Sequence, residues 1–205
     1  MGSTMKALYG LMLAAVFLAF SAGAQADLKG GIDAYDQGNY PTALDEFKPL
    51  ADGGNAKAQF ALGVMYARGQ GVQQDYKEAA SWYLKAAEQG FVQAQFNLGM
   101  MYHNGQGVPQ DFNETLRWFR KAAEQGHVLA QFNLGMMYYK GHGVPQDYNE
   151  AMSWFRKAAE QGHPKAQFTI GMMYHNGEGV PQNYDEAIKW FRRAAGQVRR
   201  MKEAL

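Results

Sequence analysis

The chain has 205 residues, with 20 Lys and Arg against 19 Asp and Glu, 47% hydrophobic residues and no Cys. Balanced charge gives no electrostatic drive toward nucleic acid or an anionic membrane surface. The absence of Cys excludes disulfides and thiolate metal sites, so packing alone must hold the fold.

Residues 1–26 read as a secretory signal peptide. Lys6 precedes an apolar run from Ala7 to Phe20, and small residues lead to the A-x-A cleavage pattern Ala24-Gln25-Ala26. Residues 1–4, ahead of Met5, read as a scar or an alternative start. The run is shorter than the ~20 apolar residues of a comfortable span, so no membrane span is expected after cleavage. No Cys follows the cleavage site to carry a lipid anchor. The expected location is the periplasm, with secretion beyond the envelope as the alternative. Removing Lys6 leaves 19 basic and 19 acidic residues in 27–205, a formal net charge of 0.

From Ala56 onward one unit of 36 residues repeats four times, as 56–91, 92–127, 128–163 and 164–198. Gly63, Gly99, Gly135 and Gly171 mark it, as do Trp82, Trp118, Trp154 and Trp190. A period of this length signals a stack of supersecondary units. In the second unit Ala94, Leu98, Met101 and Tyr102 fall at i, i+4, i+7 and i+8, one face of a first helix. Gly105 to Asp111 break it. A second helix follows, with Asp111 or Asn113 as N-cap, an apolar face of Leu116, Trp118, Phe119, Ala122 and Ala123, and Gly126 as expected C-cap. No stretch alternates with the period of a strand. The Trp residues are expected in the core, since each can bury roughly 150–250 Å².

The ends depart from the unit. In residues 27–55, Tyr40, Ala43, Phe47 and Gly54 align with Tyr76, Ala79, Tyr83 and Gly90, but Glu46 stands at the Trp position and the loop shrinks to Gln37-Gly38-Asn39. This segment is predicted to be an N-terminal cap, whose outer face must tolerate water. At the other end Gly196 and Val198 replace the Glu and Gly of E-Q-G, so the last helix is expected to run on. Residues 199–205 form a charged C-terminal cap.

The block A-Q-F-x-L-G-x-M-Y (Ala130 to Tyr138), the G-x-G-V loop (Gly141 to Val144) and the block ending K-A-A-E-Q-G (Ala151 to Gly162) resemble the Sel-1-like repeat family, relatives of the tetratricopeptide repeats. The resemblance runs from about Ala56 to Ala195, and the cap looks more like a tetratricopeptide unit. It implies an all-α fold, a right-handed α-solenoid of helix-turn-helix repeats, whose first helices line a concave surface that receives peptides or partner proteins. By position it nominates Lys57, Phe60, Val64 and Arg68 in the first unit and Gln93, Phe96, Met100, His103 and Asn104 in the second. The third supplies Leu129, Phe132, Met136, Tyr139 and Lys140, and the fourth Lys165, Phe168, Met172, His175 and Asn176. Units 92–127 and 128–163 differ at eight of 36 positions, and the pairs Gln93/Leu129, His103/Tyr139 and Asn104/Lys140 fall on this face. Aromatic anchors beside adaptable Met side chains suit peptide recognition. The competing reading is that Phe and Met pack between adjacent first helices.

Enzyme readings are weaker, and neither catalytic residues, a cofactor nor a metal is expected. His127 and His163 recur one unit apart and His103 and His175 two units apart, so neighbours lie about 8–10 Å away, too far to share one metal. These His are expected to be solvated or to face a partner. The G-x-G loops follow a helix, not a strand, against a dinucleotide site. Glu124 and Glu160 read as solvated partners of Lys121 and Lys157, and Asp111 and Asp147 as caps. A cysteine-rich branch of the family is linked with beta-lactam binding or hydrolysis, but its paired Cys are missing here. The expected function is a non-catalytic scaffold for a protein or peptide partner. The alternatives are a beta-lactam-binding or hydrolytic protein, or a stack that self-associates through its ends.

Overall fold

The computed structural model describes residues 27–203. The expected signal peptide, 1–26, and the last two residues of the tail lie outside the described residues. Ten helices follow in order: α1 Leu28–Asp36, α2 Tyr40–Asp52, α3 Ala56–Arg68, α4 Tyr76–Glu88, α5 Val92–Asn104, α6 Phe112–Glu124, α7 Val128–Lys140, α8 Tyr148–Glu160, α9 Pro164–Asn176 and α10 Tyr184–Glu203. No strand occurs among the described residues. Each helix packs chiefly on its neighbours in sequence. The odd-numbered first helices therefore form one layer and the even-numbered second helices the other, as a one-dimensional stack requires.

Helix boundaries follow from capping chemistry. Asp75, Asp111 and Asp147 each accept backbone N–H groups two and three residues on, opening α4, α6 and α8. Asp111 is thus the cap, and Asn113 lies inside the first turn. Gly126, expected as the C-cap of α6, stands one position later. Gln125 is the cap, and Gly126 takes the left-handed conformation at φ 88° while its N–H bonds to the Ala123 carbonyl.

The G-x-G loops have a structural explanation. Gly105 ends α5 in the left-handed region, and Gly107 at φ 71° presses on the preceding repeat, where a Cβ would come 2.1 Å from the Tyr76 carbonyl oxygen. Both glycines are required by the turn and the stack.

The core is continuous along the repeats. Leu62, Leu98, Leu134 and Ile170 occupy one position and are fully buried, as are Met65 and Met173; Met101 and Met137 are nearly so. Trp118 is fully buried, Trp82 and Trp154 are buried, and Trp190 is only half-buried. Lys121 and Lys157, expected to pair with Glu124 and Glu160, lie instead over the Trp118 and Trp154 rings at 4.6 and 3.8 Å. Their alkyl stems cover apolar surface while the charge meets the ring face.

A buried glutamine ladder ties repeats together. Gln59, Gln95, Gln131 and Gln167 donate through Nε2 to the carbonyls of Ala51, Ala87, Ala123 and Ala159 at 3.0–3.1 Å. In the first three, Oε1 accepts from Gln89, Gln125 and Gln161 at 2.7–2.9 Å. In the fourth, Gln167 Oε1 is buried without a partner. α10 continues through Gly196 where the other second helices stop, so Gln197 sits mid-helix rather than at a helix end.

The two ends are built differently. A Cβ on Gly31 would meet Phe47 at 2.5 Å, just as one on Gly63 would meet Tyr83, which fixes the register of α1 on the repeat. In that register Gly30 and Asp33 replace Leu62 and Met65, so the N-terminal outer face is small and polar. On α10, the last described helix, the apolar Ile188 and Val198 are exposed.

Candidate functional site

The nominated residues form one face of the first helices, graded from exposed rims to a half-buried centre. Lys57, Gln93, Leu129 and Lys165 are exposed along one rim, and Arg68, Asn104, Lys140 and Asn176 along the other. Between them Val64, Met100, Met136 and Met172 recur at one half-buried position, with Phe60, Phe96 and Phe132 beside them.

Three clefts open on this face. The first, about 430 Å³, brings Lys57, Phe60, Val64 and Arg68 together with Ile32 and Phe91. The second, about 380 Å³, joins Met100, His103, Met136 and Lys140 with Phe112 and His142. The third, about 840 Å³, joins Phe132, Met136, Lys165 and Phe168 with Phe191 and Val198 at the C-terminal end. Gln93, Phe96, Asn104, Leu129, Tyr139, Met172, His175 and Asn176 line none of the three.

The Phe position divides along the chain. Phe96 stacks on Phe119 at 5.7 Å and on His127 at 4.6 Å, and Phe132 sits equally against Phe155 and His163. Phe60 makes the same pair of contacts with Tyr83 and Phe91. These three rings therefore pack between their own second helix and the start of the next repeat. Phe168 has Phe191 at 5.2 Å and, among the described residues, no second ring against it, and it is 53% exposed.

His127 and His163 are half-buried and have a structural role. Each is an N-cap, with Nδ1 accepting the N–H of Ala130 or Ala166 at 3.2 and 3.1 Å. Burial lowers the pKa of both, and Lys165 adds to the effect at His163. Tyr139 is also tied into the stack: it donates to Glu178 of the next repeat at 2.8 Å and meets Tyr148 edge-on. Burial, then the Glu178 carboxylate, pushes its pKa up to about 12. His103 lies against Phe112 and His175 against Tyr184, each edge-on. Among the described residues no three His, Asp or Glu gather into a metal-binding group.

Ile32, Tyr35, Phe91, Phe112 and Asn133 line the clefts without having been nominated. Phe91 was legible in principle, because it holds the position of His127 and His163. Ile32 was hidden by the shortened loop that shifts the register of α1.

Four consecutive matches to the Sel1 repeat cover residues 56–91, 92–127, 128–163 and 164–197. The chain belongs to the Sel1 repeat family. A Sel1 repeat protein from Oxalobacter formigenes is 38% identical, with 85% of this chain and 69% of that one covered and a TM-score of 0.79. The protein c5321, a protective antigen of uropathogenic Escherichia coli strains with an SLR fold, is 44% identical over 87% of this chain, with a TM-score of 0.81. This chain spans 39% of its length. A Sel1 repeat protein from Klebsiella pneumoniae shares the fold at 24% identity, 82% and 83% coverage and a TM-score of 0.52. A comparison with curated proteins returns no match. The Sel1 chain is a right-handed α-solenoid with a period of about 36 residues. Sel1 repeat proteins generally mediate protein–protein interaction and are generally non-catalytic, and no helix among the described residues is long and apolar enough to cross a membrane.

Proposed function

We propose that this Sel1 repeat protein is a non-catalytic scaffold or regulator that binds a partner protein or peptide on the concave first-helix face, in the periplasm or after secretion. The observation that carries the reading is the row of three clefts on one face, each lined by apolar groups and edged by Lys57, Lys140 or Lys165. A solenoid of this length presents an extended surface, and Met and Phe side chains adapt to a bound segment. The leader pattern ending at Ala24-Gln25-Ala26 supports export. Residues 27–205 used as bait on intact cell envelopes, with in situ crosslinking, test it. Val64→Glu and Phe168→Glu place a carboxylate in the first and third clefts, Val64 at a half-buried site bordering the core and Phe168 at a site that is 53% exposed. Both should keep native helicity and lose the crosslinked partner; undiminished capture by both contradicts the reading. N-terminal sequencing of the exported protein should begin at Asp27.

A further inference from the structure

Each G-x-G loop carries a side chain back onto the repeat before it, where it meets the last turn of that repeat's first helix. Where the cap meets the first unit, Tyr35 donates to Gln70 Oε1 at 2.6 Å. Where the third unit meets the fourth, Tyr139 donates to Glu178 at 2.8 Å. Between the second and third units the same two positions hold His103 and His142. A ring marks the place each time: Tyr35 is edge-on to Tyr40 and Tyr139 to Tyr148, both at 5.4 Å, and His103 to Phe112 at 5.7 Å. His142 also lies on Phe112, at 6.0 Å. Gly143 fixes its loop there, since a Cβ would come 2.6 Å from Phe112 Cβ. Matching each His with its own copy in another repeat hides this pair, because the stack joins two positions that are not copies of each other.

Sulfur surrounds the two imidazoles. Met100 precedes His103 by three residues on one face of α5, and its Sδ accepts from Asn133 Nδ2 of α7 at 3.6 Å. Met136, three residues after Asn133, lines the same cleft of about 380 Å³ as Met100, His103 and His142. No carboxylate lines it, and Lys140 stands at its exposed rim. The Nδ1 of His103 is buried and has no hydrogen-bond partner among the described residues.

We propose that the junction of the second and third units binds a soft monovalent metal ion, Cu(I), through the imidazoles of His103 and His142 and the thioethers of Met100 and Met136. Imidazole and thioether suit Cu(I), whereas Mg, Ca and Mn take carboxylate, carbonyl and water oxygen. The Lys140 charge acts most strongly against divalent ions, because Coulomb repulsion grows with the charge of the ion. Exposed His142 gives the ion an entry path from solvent. Once bound, the ion ties α5 to the loop of the following repeat, as the Tyr139–Glu178 bond ties α7 one repeat on. The site lies within the second cleft, but it depends on the junction pair and not on partner recognition.

Residues 27–205, titrated anaerobically with Cu(I) held by a chromophoric chelator, should take up one ion per chain. His103→Ala, His142→Ala and Met136→Leu should each weaken binding by about tenfold or more. His175→Ala, at the position equivalent to His103 but beside Tyr184, should bind normally. Since Ala at a junction can loosen the stack, the His103→Tyr/His142→Glu double variant installs the pair that the next junction uses. It should keep native helicity and lose Cu(I). Ag(I), a redox-silent stand-in, should raise the thermal midpoint of the native chain by several degrees at about 100 times its Kd and leave the double variant unmoved. Val64→Glu, which disables the first cleft, should bind Cu(I) normally, so this inference and the partner reading fail separately. No Cu(I) taken from the chelator, equal affinity in the double variant, indifference to Met136→Leu, or tighter binding of Zn(II) than of Cu(I) overturns the inference.

Discussion

Gly135→Ala isolates the close approach that sets the spacing of first and second helices. The added Cβ would sit 2.6 Å from Phe155 Cε1 and 2.7 Å from Cδ1, well inside contact distance. Phe155 is fully buried, with Phe132 and Tyr139 against it at 5.7 and 6.3 Å, so the ring has no space to yield. Overpacking of this kind costs about 1–3 kcal/mol, partly offset by about 1 kcal/mol of helix propensity gained on replacing Gly. Gly171→Ala is the internal control. Its Cβ would also meet a ring at 2.6 Å, but that ring is Phe191, which is only half-buried and has room to yield. The propensity gain is common to both variants, so their difference reports overpacking alone, about 1–3 kcal/mol. For a chain of this size each kcal/mol moves the thermal midpoint by about 2–4 °C. Thermal unfolding followed by circular dichroism at 222 nm should place Gly135→Ala several degrees below Gly171→Ala. Equal midpoints, or the reverse order, would refute the reasoning.

Trp118→Ala should cost about 3–5 kcal/mol in urea denaturation, because the side chain is fully buried and its Nε1 donates to Glu114 at 3.0 Å; Trp190→Ala, at a half-buried site, should cost less. Gln131→Met leaves the Ala123 carbonyl and the Gln161 amide without their ladder partner and should cost about 1–3 kcal/mol, more than Gln167→Met, whose Oε1 has no partner to lose. Stability should fall as pH drops below about 6.5, the ordinary His value, because the folded-state pKa of His127 and His163 is lowered and the unfolded chain takes up protons first. It should be complete above that value and decline as pH falls toward the folded-state pKa, since protonated Nδ1 no longer accepts the capping N–H. A His127→Asn/His163→Asn variant, capped without titration, should show a flatter thermal midpoint between pH 7.5 and 5; parallel curves would contradict this account.

The architecture was legible because near-identical units reveal which positions the stack fixes. The Leu98, Gly99 and Trp118 positions recur for packing reasons that periodicity alone exposes. The roles of His127 and His163 were not legible, since an imidazole can cap a helix, ligate a metal or meet solvent, and only the ring's placement over Phe96 or Phe132 decides. Tyr139 misled in the same way. It varies between units, which suggested a free surface residue, yet it reaches Glu178 some 39 positions along the chain. Phe96 and Phe132 are covered by His127 and His163, whereas among the described residues Phe168 meets only Phe191 and stays exposed. Sequence gave equal standing to the four Phe residues, and stacking separates them.

Methionine-methyl NMR with the captured partner addresses the binding face most directly, because α5, α7 and α9 each carry a Met on both sides. Met100, Met136 and Met172 lie on the first-helix face, whereas Met65, Met101, Met137 and Met173 are buried against the preceding repeat. Partner binding should shift the first group and leave the second near its free positions. Shifts confined to the buried group, or to Met152 on a second helix, would contradict recognition through the first-helix face.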